Sequence, residues 1–167
     1  MKEILIINGS GGVGKDTFVT RLSKFTTVCH TSIINPIKRV AAELGWTGKK
    51  TEKDRRFLSD LKVLVDEYND WNYSEMEKVM QTFLDEPIDG ILCIDMREKR
   101  QIDKARRDFG AKAILVKRDT VKQITSNIAD AGVYDTEYDY TVYNNGTIDD
   151  LDEEARKLFA WLKQNRK

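Results

Sequence analysis

The sequence predicts an α/β fold in which helices cover both faces of a parallel five-stranded sheet. Three observations support this fold class. Short apolar runs alternate with longer helical patterns, a glycine-rich segment directly follows the first apolar run, and the chain has 167 residues. The alternation is typical of β/α units packed in three layers. The length suits one ordinary domain, so we expect residues 1–167 to form a single domain.

The predicted strands are short and rich in aliphatic side chains, and the second is the least apolar. They lie at Glu3–Asn8, Thr27–Asn35, Gly90–Asp95, Lys112–Lys117 and Asp139–Tyr143.

Helix starts in the first half of the chain follow from local signals. A first helix should begin within Gly14–Thr17, and Pro36 suits the first turn of a second helix that ends near Gly45. Thr51 can cap a long third helix. The apolar residues on one face of that third helix are Phe57, Leu58, Leu61, Leu64, Val65 and Tyr68.

Helices in the second half are predicted in the same way. Ser74 and Glu77 have the spacing of a capping box, in which each side chain satisfies a backbone N–H, so a fourth helix should start there. The remaining helices are predicted at Arg97–Phe109, Thr120–Ala131 and Asp149–Gln164.

Composition excludes several classes of protein. Twenty-eight basic residues balance twenty-eight acidic ones, so no global positive field would hold a nucleic acid. No apolar run approaches the length of a membrane span, and the N-terminus lacks a signal-peptide pattern. We therefore expect a soluble cytoplasmic protein, either a monomer or a homodimer, without nucleic-acid or membrane partners.

The two cysteines and the single histidine show no metal-binding or hydrolase pattern. Cys29 and Cys93 lie in apolar, strand-like stretches without zinc-ligand spacing, so we interpret both as reduced core thiols. His30 also lies in a strand-like stretch, and no Gly-x-Ser-x-Gly segment accompanies it, so we interpret it as a packing or surface residue.

A phosphate-binding loop follows the first predicted strand. Gly9–Thr17 reads Gly-Ser-Gly-Gly-Val-Gly-Lys-Asp-Thr and fits the Gly-x-x-x-x-Gly-Lys pattern. Glycines let successive backbone N–H groups point at one anion, and the next helix presents its positive N-terminus to that anion. The alternative is a plain glycine-rich turn, which explains neither the lysine nor the spacing. The predicted nucleotide-binding residues of the loop are Gly9, Gly11, Gly12, Val13, Gly14, Lys15, Asp16 and Thr17.

The loop predicts an ATP-dependent phosphoryl transfer. Lys15 would reach the β- and γ-phosphates and neutralise charge on the transferring group. Asp16 occupies the position where a Ser or Thr usually contacts Mg²⁺, and its carboxylate could hold the ion directly or through water. Asp95 ends an apolar strand, where it could hold Mg²⁺ or simply cap the following helix.

Several segments resemble the phage-type deoxynucleoside monophosphate kinases and related dephospho-coenzyme A kinases. The segments are Gly14–Thr17, Asn35–Lys38, Arg55–Ser59, Ile94–Arg97 and Asn144–Leu151. The resemblance is partial at Arg55–Ser59, where Ser59 replaces a family Gln, and no family His-x-Ser-Glu stretch is present. It implies a P-loop kinase fold with strand order 2-3-1-4-5.

The same resemblance implies roles for individual residues. An adenine seat would lie near Asn145 and Gly146, and acceptor contacts would come from Lys38, Arg55 and Arg97. Arg55 and Arg97 could equally belong to solvated, charged helix faces. The acceptor-binding helices would span residues 36–86.

A lid is expected over residues 119–138, where closure would exclude water from the reaction. The segment contains Lys122 but no arginine, so the transition-state charge would fall to Lys15, Arg97, Arg118 and Mg²⁺.

The sequence leaves the identity of the phosphoryl acceptor open. A nucleoside monophosphate is favoured, with dephospho-coenzyme A and phosphomevalonate as alternatives. A nucleotide-binding module that hydrolyses ATP or transfers nothing is a further possibility. A GTPase switch is disfavoured because Asn-Lys-x-Asp is absent, and Lys15 disfavours a Rossmann dehydrogenase.

Overall fold

The computed structural model describes residues 1–121 and 132–165. The five strands are β1 (Lys2–Asn8), β2 (Val28–Ser32), β3 (Gly90–Asp95), β4 (Lys112–Lys117) and β5 (Tyr140–Tyr143). They form one sheet in the order β2-β3-β1-β4-β5, which confirms the predicted fold class and strand order. β1 pairs in parallel with β3 and with β4, and β4 pairs in parallel with β5.

The α-helices among the described residues are α1 (Lys15–Leu22), α2 (Asn35–Glu43), α3 (Glu52–Asn69), α4 (Trp71–Asp85), α5 (Lys99–Phe109) and α6 (Ile148–Gln164). A short 3₁₀ helix covers Gly132–Asp135. Most of the helix predicted at Thr120–Ala131, with Lys122, lies outside the described residues.

Two sequence-based boundaries are wrong, the end of β2 and the start of α5. β2 ends at Ser32, because α2 starts at Asn35 with Pro36 in its first turn and the chain turns just before it. α5 begins at Lys99, so Arg97 precedes the helix and is half-buried.

The capping box predicted from Ser74 and Glu77 is also wrong. Asp70, whose left-handed backbone has a φ of 55°, is the single cap residue between the end of α3 at Asn69 and the start of α4 at Trp71. Both residues therefore lie inside α4, and the Ser74 hydroxyl donates to the Asp70 carbonyl oxygen at 3.3 Å. Capping boxes form instead between Thr51 and Asp54 and between Thr147 and Asp150.

The described contacts divide the chain into two units. One contains Met1–His30 and Ile88–Lys167, and the other contains Thr31–Pro87. A single domain over residues 1–167 stays a prediction. None of the described helices is both long and apolar enough to cross a membrane.

The first unit has an apolar core between the sheet and two helices. Its buried side chains come from four of the strands, from α1 and from α6, and include Leu5, Ile7, Phe18, Ile114, Val142 and Leu158. Cys93 is buried in this core, and burial raises the pKa of its thiol. Cys29 is exposed, so its interpretation as a core thiol is wrong.

The second unit contains α2, α3 and α4. Its fully buried side chains include Ile37, Ala41, Tyr73, Met76 and Met80. α3 contributes no fully buried residue, because half of its apolar face is exposed and the other half is only half-buried. That face borders an apolar groove of about 460 Å³ lined by Val40, Leu64, Val65, Tyr68, Asn69 and Trp71.

Candidate active site

The glycine-rich loop begins where β1 ends. The chain turns at Gly9, whose φ of 144° suits glycine, and a Cβ there would lie 2.3 Å from the carbonyl oxygen of Val116. The loop backbone is therefore packed directly against β4, which leaves no room for another side chain.

Asn8, the last residue of β1, stabilises the start of the loop. Its side chain is fully buried, and its Oδ1 accepts from the Gly9 N–H at 2.8 Å. Its Nδ2 donates to the Tyr138 hydroxyl at 2.8 Å, and that hydroxyl donates to the Val133 carbonyl oxygen. Burial raises the pKa of Tyr138 to about 12, so the phenol keeps its proton at neutral pH and holds this chain of hydrogen bonds together.

Lys15 lies at the first position of α1 and folds back over the loop. Its Nζ donates to the carbonyl oxygen of Gly9 at 2.8 Å and to that of Ser10 at 3.2 Å. Asp16 and Thr17 follow in the first helical turn and are exposed. An ammonium group and a helix N-terminus thus lie together at the glycine-rich loop, a combination that suits polyphosphate binding.

Asn144 connects the loop to the end of β5. Its Nδ2 donates to the Val13 carbonyl oxygen at 2.9 Å, and its backbone N–H donates to the Lys117 carbonyl oxygen at 2.8 Å. Gly14 lies against this amide with a φ of 90°, and a Cβ at Gly14 would be 2.4 Å from Asn144 Nδ2. A residue near the C-terminal end of the chain, Asn144, therefore stabilises the conformation of the loop.

Three ligand-type side chains meet beside the loop. Asp95 ends β3, His30 lies on the neighbouring strand β2, and Asp16 comes from α1. One potential ligand atom from each lies within 4.8 Å of the others. His30 Nε2 and Asp95 Oδ2 are 3.1 Å apart.

The electrostatics of Asp95 favour a bound cation. Burial raises the pKa of this carboxyl, and the Asp16 carboxylate raises it further, while His30 and Lys15 oppose both effects. Asp95 Oδ1 is buried without a hydrogen-bond partner among the described residues. Carboxylate oxygens are the ligands that Mg²⁺ prefers, so Asp16 and Asp95 fit a divalent cation.

The two predicted catalytic arginines occupy different environments. Arg97 lies between β3 and α5 and is half-buried, whereas Arg118 directly follows β4 and is exposed. The lid predicted over residues 119–138 is described only at its two ends, because residues 122–131 lie outside the described part of the chain.

The predicted adenine seat lies in an exposed turn after β5. Asn145 Nδ2 donates to Asp119 Oδ2 at 2.7 Å, and Asn145 Oδ1 accepts from the Asp119 N–H at 2.8 Å. A Cβ at Gly146 would lie 2.2 Å from Asp150 Oδ2, the carboxylate of the α6 capping box. A side chain at Gly146 would therefore push the Asp150 carboxylate out of its capping position.

The predicted acceptor residues of the second unit lie on separate helices. Lys38 is half-buried on α2, and its Nζ donates to Asn35 Oδ1 at 3.5 Å. Arg55 is exposed in the first half of α3.

Solved structures share this fold at low sequence identity. A dephospho-CoA kinase from Campylobacter jejuni is 13% identical, with 96% of this chain and 97% of that chain covered and a TM-score of 0.54. A sugar kinase from a Janibacter species is 12% identical, with coverages of 98% and 95% and a TM-score of 0.53. No curated protein matches the sequence.

A sequence family gives the more specific assignment. The profile of the deoxynucleotide monophosphate kinase family matches residues 55–155, more than half of the chain. The chain belongs to this family. It is therefore a small-molecule kinase, a phosphotransferase that uses a nucleotide. The matched segment begins after the glycine-rich loop, so the loop supports this assignment independently.

Sequence reasoning missed three polar residues at the candidate site of the kinase. Asn8 and Asn144 form hydrogen bonds with the loop. Both are polar residues at the carboxyl ends of apolar strands, and that position is a sequence signal that could have identified them. His30 was interpreted as packing or surface, yet its ring contacts Asp95. Its position next to Asp95 depends on the pairing of β2 beside β3, which no local signal reveals.

Proposed function

We propose that the kinase transfers the γ-phosphoryl group of Mg²⁺-bound ATP to a nucleoside monophosphate, with a deoxynucleoside monophosphate as the favoured acceptor. The observation that carries this proposal is the position of Lys15 in the glycine-rich loop, beside the carboxylates of Asp16 and Asp95. Family membership supports the choice of acceptor.

The loop residues would bind and orient the donor. Backbone N–H groups between Gly9 and Gly14 would hold the phosphates, and Lys15 would follow the transferring group. Asp16 and Asp95 would hold Mg²⁺, which neutralises phosphate charge when bound. Asn145 and Gly146 would contact the adenine.

Arginine and lysine side chains outside the loop would bind the acceptor and the transition state. Lys38, Arg55 and Arg97 are proposed contacts for the acceptor phosphate, because paired guanidinium and ammonium groups recognise phosphate oxygens. Arg97 and Arg118 would add charge stabilisation during transfer. Acceptor binding and charge stabilisation both work without a general base on the protein, because positioning and charge dominate phosphoryl transfer.

A coupled assay of ADP formation tests the proposal. Mg·ATP is supplied alone, and then with deoxynucleoside monophosphates, dephospho-coenzyme A or phosphomevalonate. We expect turnover that requires a nucleoside monophosphate. Turnover with another acceptor would reassign the substrate, and acceptor-independent turnover would indicate an ATPase.

A pair of lysine variants tests whether Lys15 takes part in phosphoryl transfer. Lys15→Ala should lower kcat by roughly 100-fold or more, the usual effect of losing one group that stabilises developing charge. Lys163→Ala is the matched control, because Lys163 is an exposed lysine on α6. Equal activity of both variants would contradict the proposed role of the loop.

A further inference from the structure

His30 is the one residue of the ligand cluster that the proposed transfer does not use. It is the single histidine of the chain, and its side chain is 29% exposed. Its Nε2 lies 3.1 Å from Asp95 Oδ2, and a carboxylate oxygen of Asp16 completes the group of three ligand atoms. An imidazole beside two carboxylates is a different donor set from the oxygen ligands that usually hold Mg²⁺.

The spacing of these atoms suits one ion. Two ligands at right angles, each about 2.1 Å from a metal, are about 3.0 Å apart. The 3.1 Å between His30 Nε2 and Asp95 Oδ2 is close to that distance. Opposite ligands of the same ion would be about 4.2 Å apart, and the whole group falls within 4.8 Å, so the widest pair would have to close by at most about 0.6 Å to bind one ion.

The backbone positions of the three residues are fixed independently of any metal. Asp95 and His30 lie on neighbouring strands of the sheet, and Asp16 lies in the first turn of α1 behind the loop. Asp95 Oδ1 remains buried without a hydrogen-bond partner among the described residues. The carboxylate can therefore bind an ion through Oδ2 or through both oxygens without breaking another contact of Oδ1.

We infer that His30 is a direct nitrogen ligand of the divalent cation site formed with Asp16 and Asp95, and that it lets this site bind first-row transition ions more tightly than Mg²⁺, with Mn²⁺ as a paramagnetic probe of that preference. The inference rests on the proposed function, which assigns the two carboxylates to the cation. Imidazole nitrogen suits first-row transition ions better than Mg²⁺. His30 thereby sets which metal accompanies the nucleotide.

Pulsed electron paramagnetic resonance of Mn²⁺ tests the ligand directly. The untagged chain is measured with Mn²⁺ alone and with Mn²⁺ and inorganic tripolyphosphate, a donor mimic that contains no nitrogen. Because the chain has one histidine, an imidazole nitrogen coupling to bound Mn²⁺ identifies His30. We expect that coupling in both samples. Bound Mn²⁺ without an imidazole coupling would overturn the inference, and His30 would then only pair with Asp95.

Binding titrations give a second readout. His30→Ala should weaken Mn²⁺ binding by about tenfold or more and weaken Mg²⁺ binding less. Cys29→Ser is the matched control, because Cys29 is the exposed preceding residue of β2 and its side chain points to the opposite face of the strand. Thermal unfolding of each variant checks that the fold is retained. Equal loss of Mn²⁺ and Mg²⁺ affinity in His30→Ala would also overturn the inference.

Asp95→Asn separates this inference from the proposed function. If Asp95→Asn loses metal binding and phosphoryl transfer while His30→Ala binds Mn²⁺ normally, the carboxylate site stands and the role of His30 is wrong. If Asp95→Asn changes neither metal binding nor transfer, the proposed cation site itself is wrong.

Discussion

Single atoms decide which residues the glycine-rich loop accepts. Gly12 and Gly14 both have left-handed backbones, with φ of 84° and 90°. A Cβ at Gly12 would meet nothing within 4 Å, whereas a Cβ at Gly14 would lie 2.4 Å from Asn144 Nδ2. An alanine at Gly12 would therefore add only backbone strain. An alanine at Gly14 would add the same strain and would also displace the hydrogen bond of Asn144.

This contrast predicts different stability losses for the two glycine-to-alanine substitutions. Gly12→Ala should destabilise the fold by about 1–2 kcal/mol, the usual cost of a left-handed alanine. Gly14→Ala should cost more, because it also pushes Asn144 away from the Val13 carbonyl oxygen and leaves a buried amide unsatisfied. Urea unfolding of both variants measures the difference. Equal free energies of unfolding would show that the Asn144 contact contributes nothing.

Both capping boxes of the described residues form where the N-cap residue has an extended backbone. Thr147 is one of these residues, with ψ of 178°, and exchanges capping hydrogen bonds with Asp150. Ser74 has the same sequence spacing to Glu77, but the chain already enters α4 at Asp70. A motif of this kind therefore caps a helix only where the preceding backbone is free to be extended.

The two hydroxyl residues should respond differently to substitution. Thr147→Ala should lower the free energy of unfolding by about 1 kcal/mol, because a backbone N–H at the start of α6 loses its partner. Ser74→Ala should change it by less than about 0.5 kcal/mol, since alanine suits a helix interior. Chemical unfolding followed by circular dichroism measures both. A larger loss in Ser74→Ala would contradict the assigned start of α4.

A charged cluster joins the two helices that pack together in the first unit. Asp152 on α6 accepts from Arg21 Nε, from Arg21 Nη2 at 2.9 Å and from Lys24 Nζ at 2.6 Å. The side chains of Arg21 and Asp152 are only 23% and 21% exposed. The hydrogen bond from Arg21 lowers the pKa of Asp152, and Lys24 lowers it further.

The sign of that shift sets a pH dependence. A carboxyl with a lowered native pKa stabilises the fold above its unfolded pKa of about 3.9, and this contribution fades as pH falls toward the native value. Asp152→Asn should therefore lower the melting temperature by a few degrees at pH 7, and the difference from wild type should shrink below about pH 4.

Glu153→Gln is the control for this measurement. Glu153 pairs with Arg156 on the same helix and is more exposed, so its loss should change the melting temperature little. A pH-independent difference between Asp152→Asn and wild type would show that the carboxylate charge is not responsible.

The sheet places two cysteines that look alike in sequence in different environments. Cys93 is completely buried on β3, inside the apolar core, while Cys29 is exposed on β2. Burial also raises the pKa of the Cys93 thiol, which reduces the thiolate fraction available for reaction. The native protein should therefore present one reactive thiol.

Thiol titration with a colorimetric disulfide reagent checks this expectation. We expect one thiol to react quickly in native buffer and both to react after denaturation. Cys29→Ser should remove the fast reaction and leave a single thiol in denaturant. Two fast thiols in native wild type would mean that the core around β3 opens readily.

The sequence alone determined the local features of this kinase. The ranges of β3 and β4 matched the predicted strands, and the first helix began within the predicted segment. Periodicity, terminal signals and the Gly-x-x-x-x-Gly-Lys spacing act within a few residues, so they can be read without knowing the fold. Strand order was also predicted correctly, but through the resemblance to a kinase family.

Which distant side chains share the site depends on the tertiary fold. His30 and Asp95 are 65 positions apart, and Asn144 and Val13 are 131 positions apart. These pairs meet because β2 lies beside β3, and because β5 ends near the glycine-rich loop. The local sequence around a strand end does not show which side chains will lie next to it. Those neighbours depend on the order of the strands in the sheet, which the packing of the whole core determines.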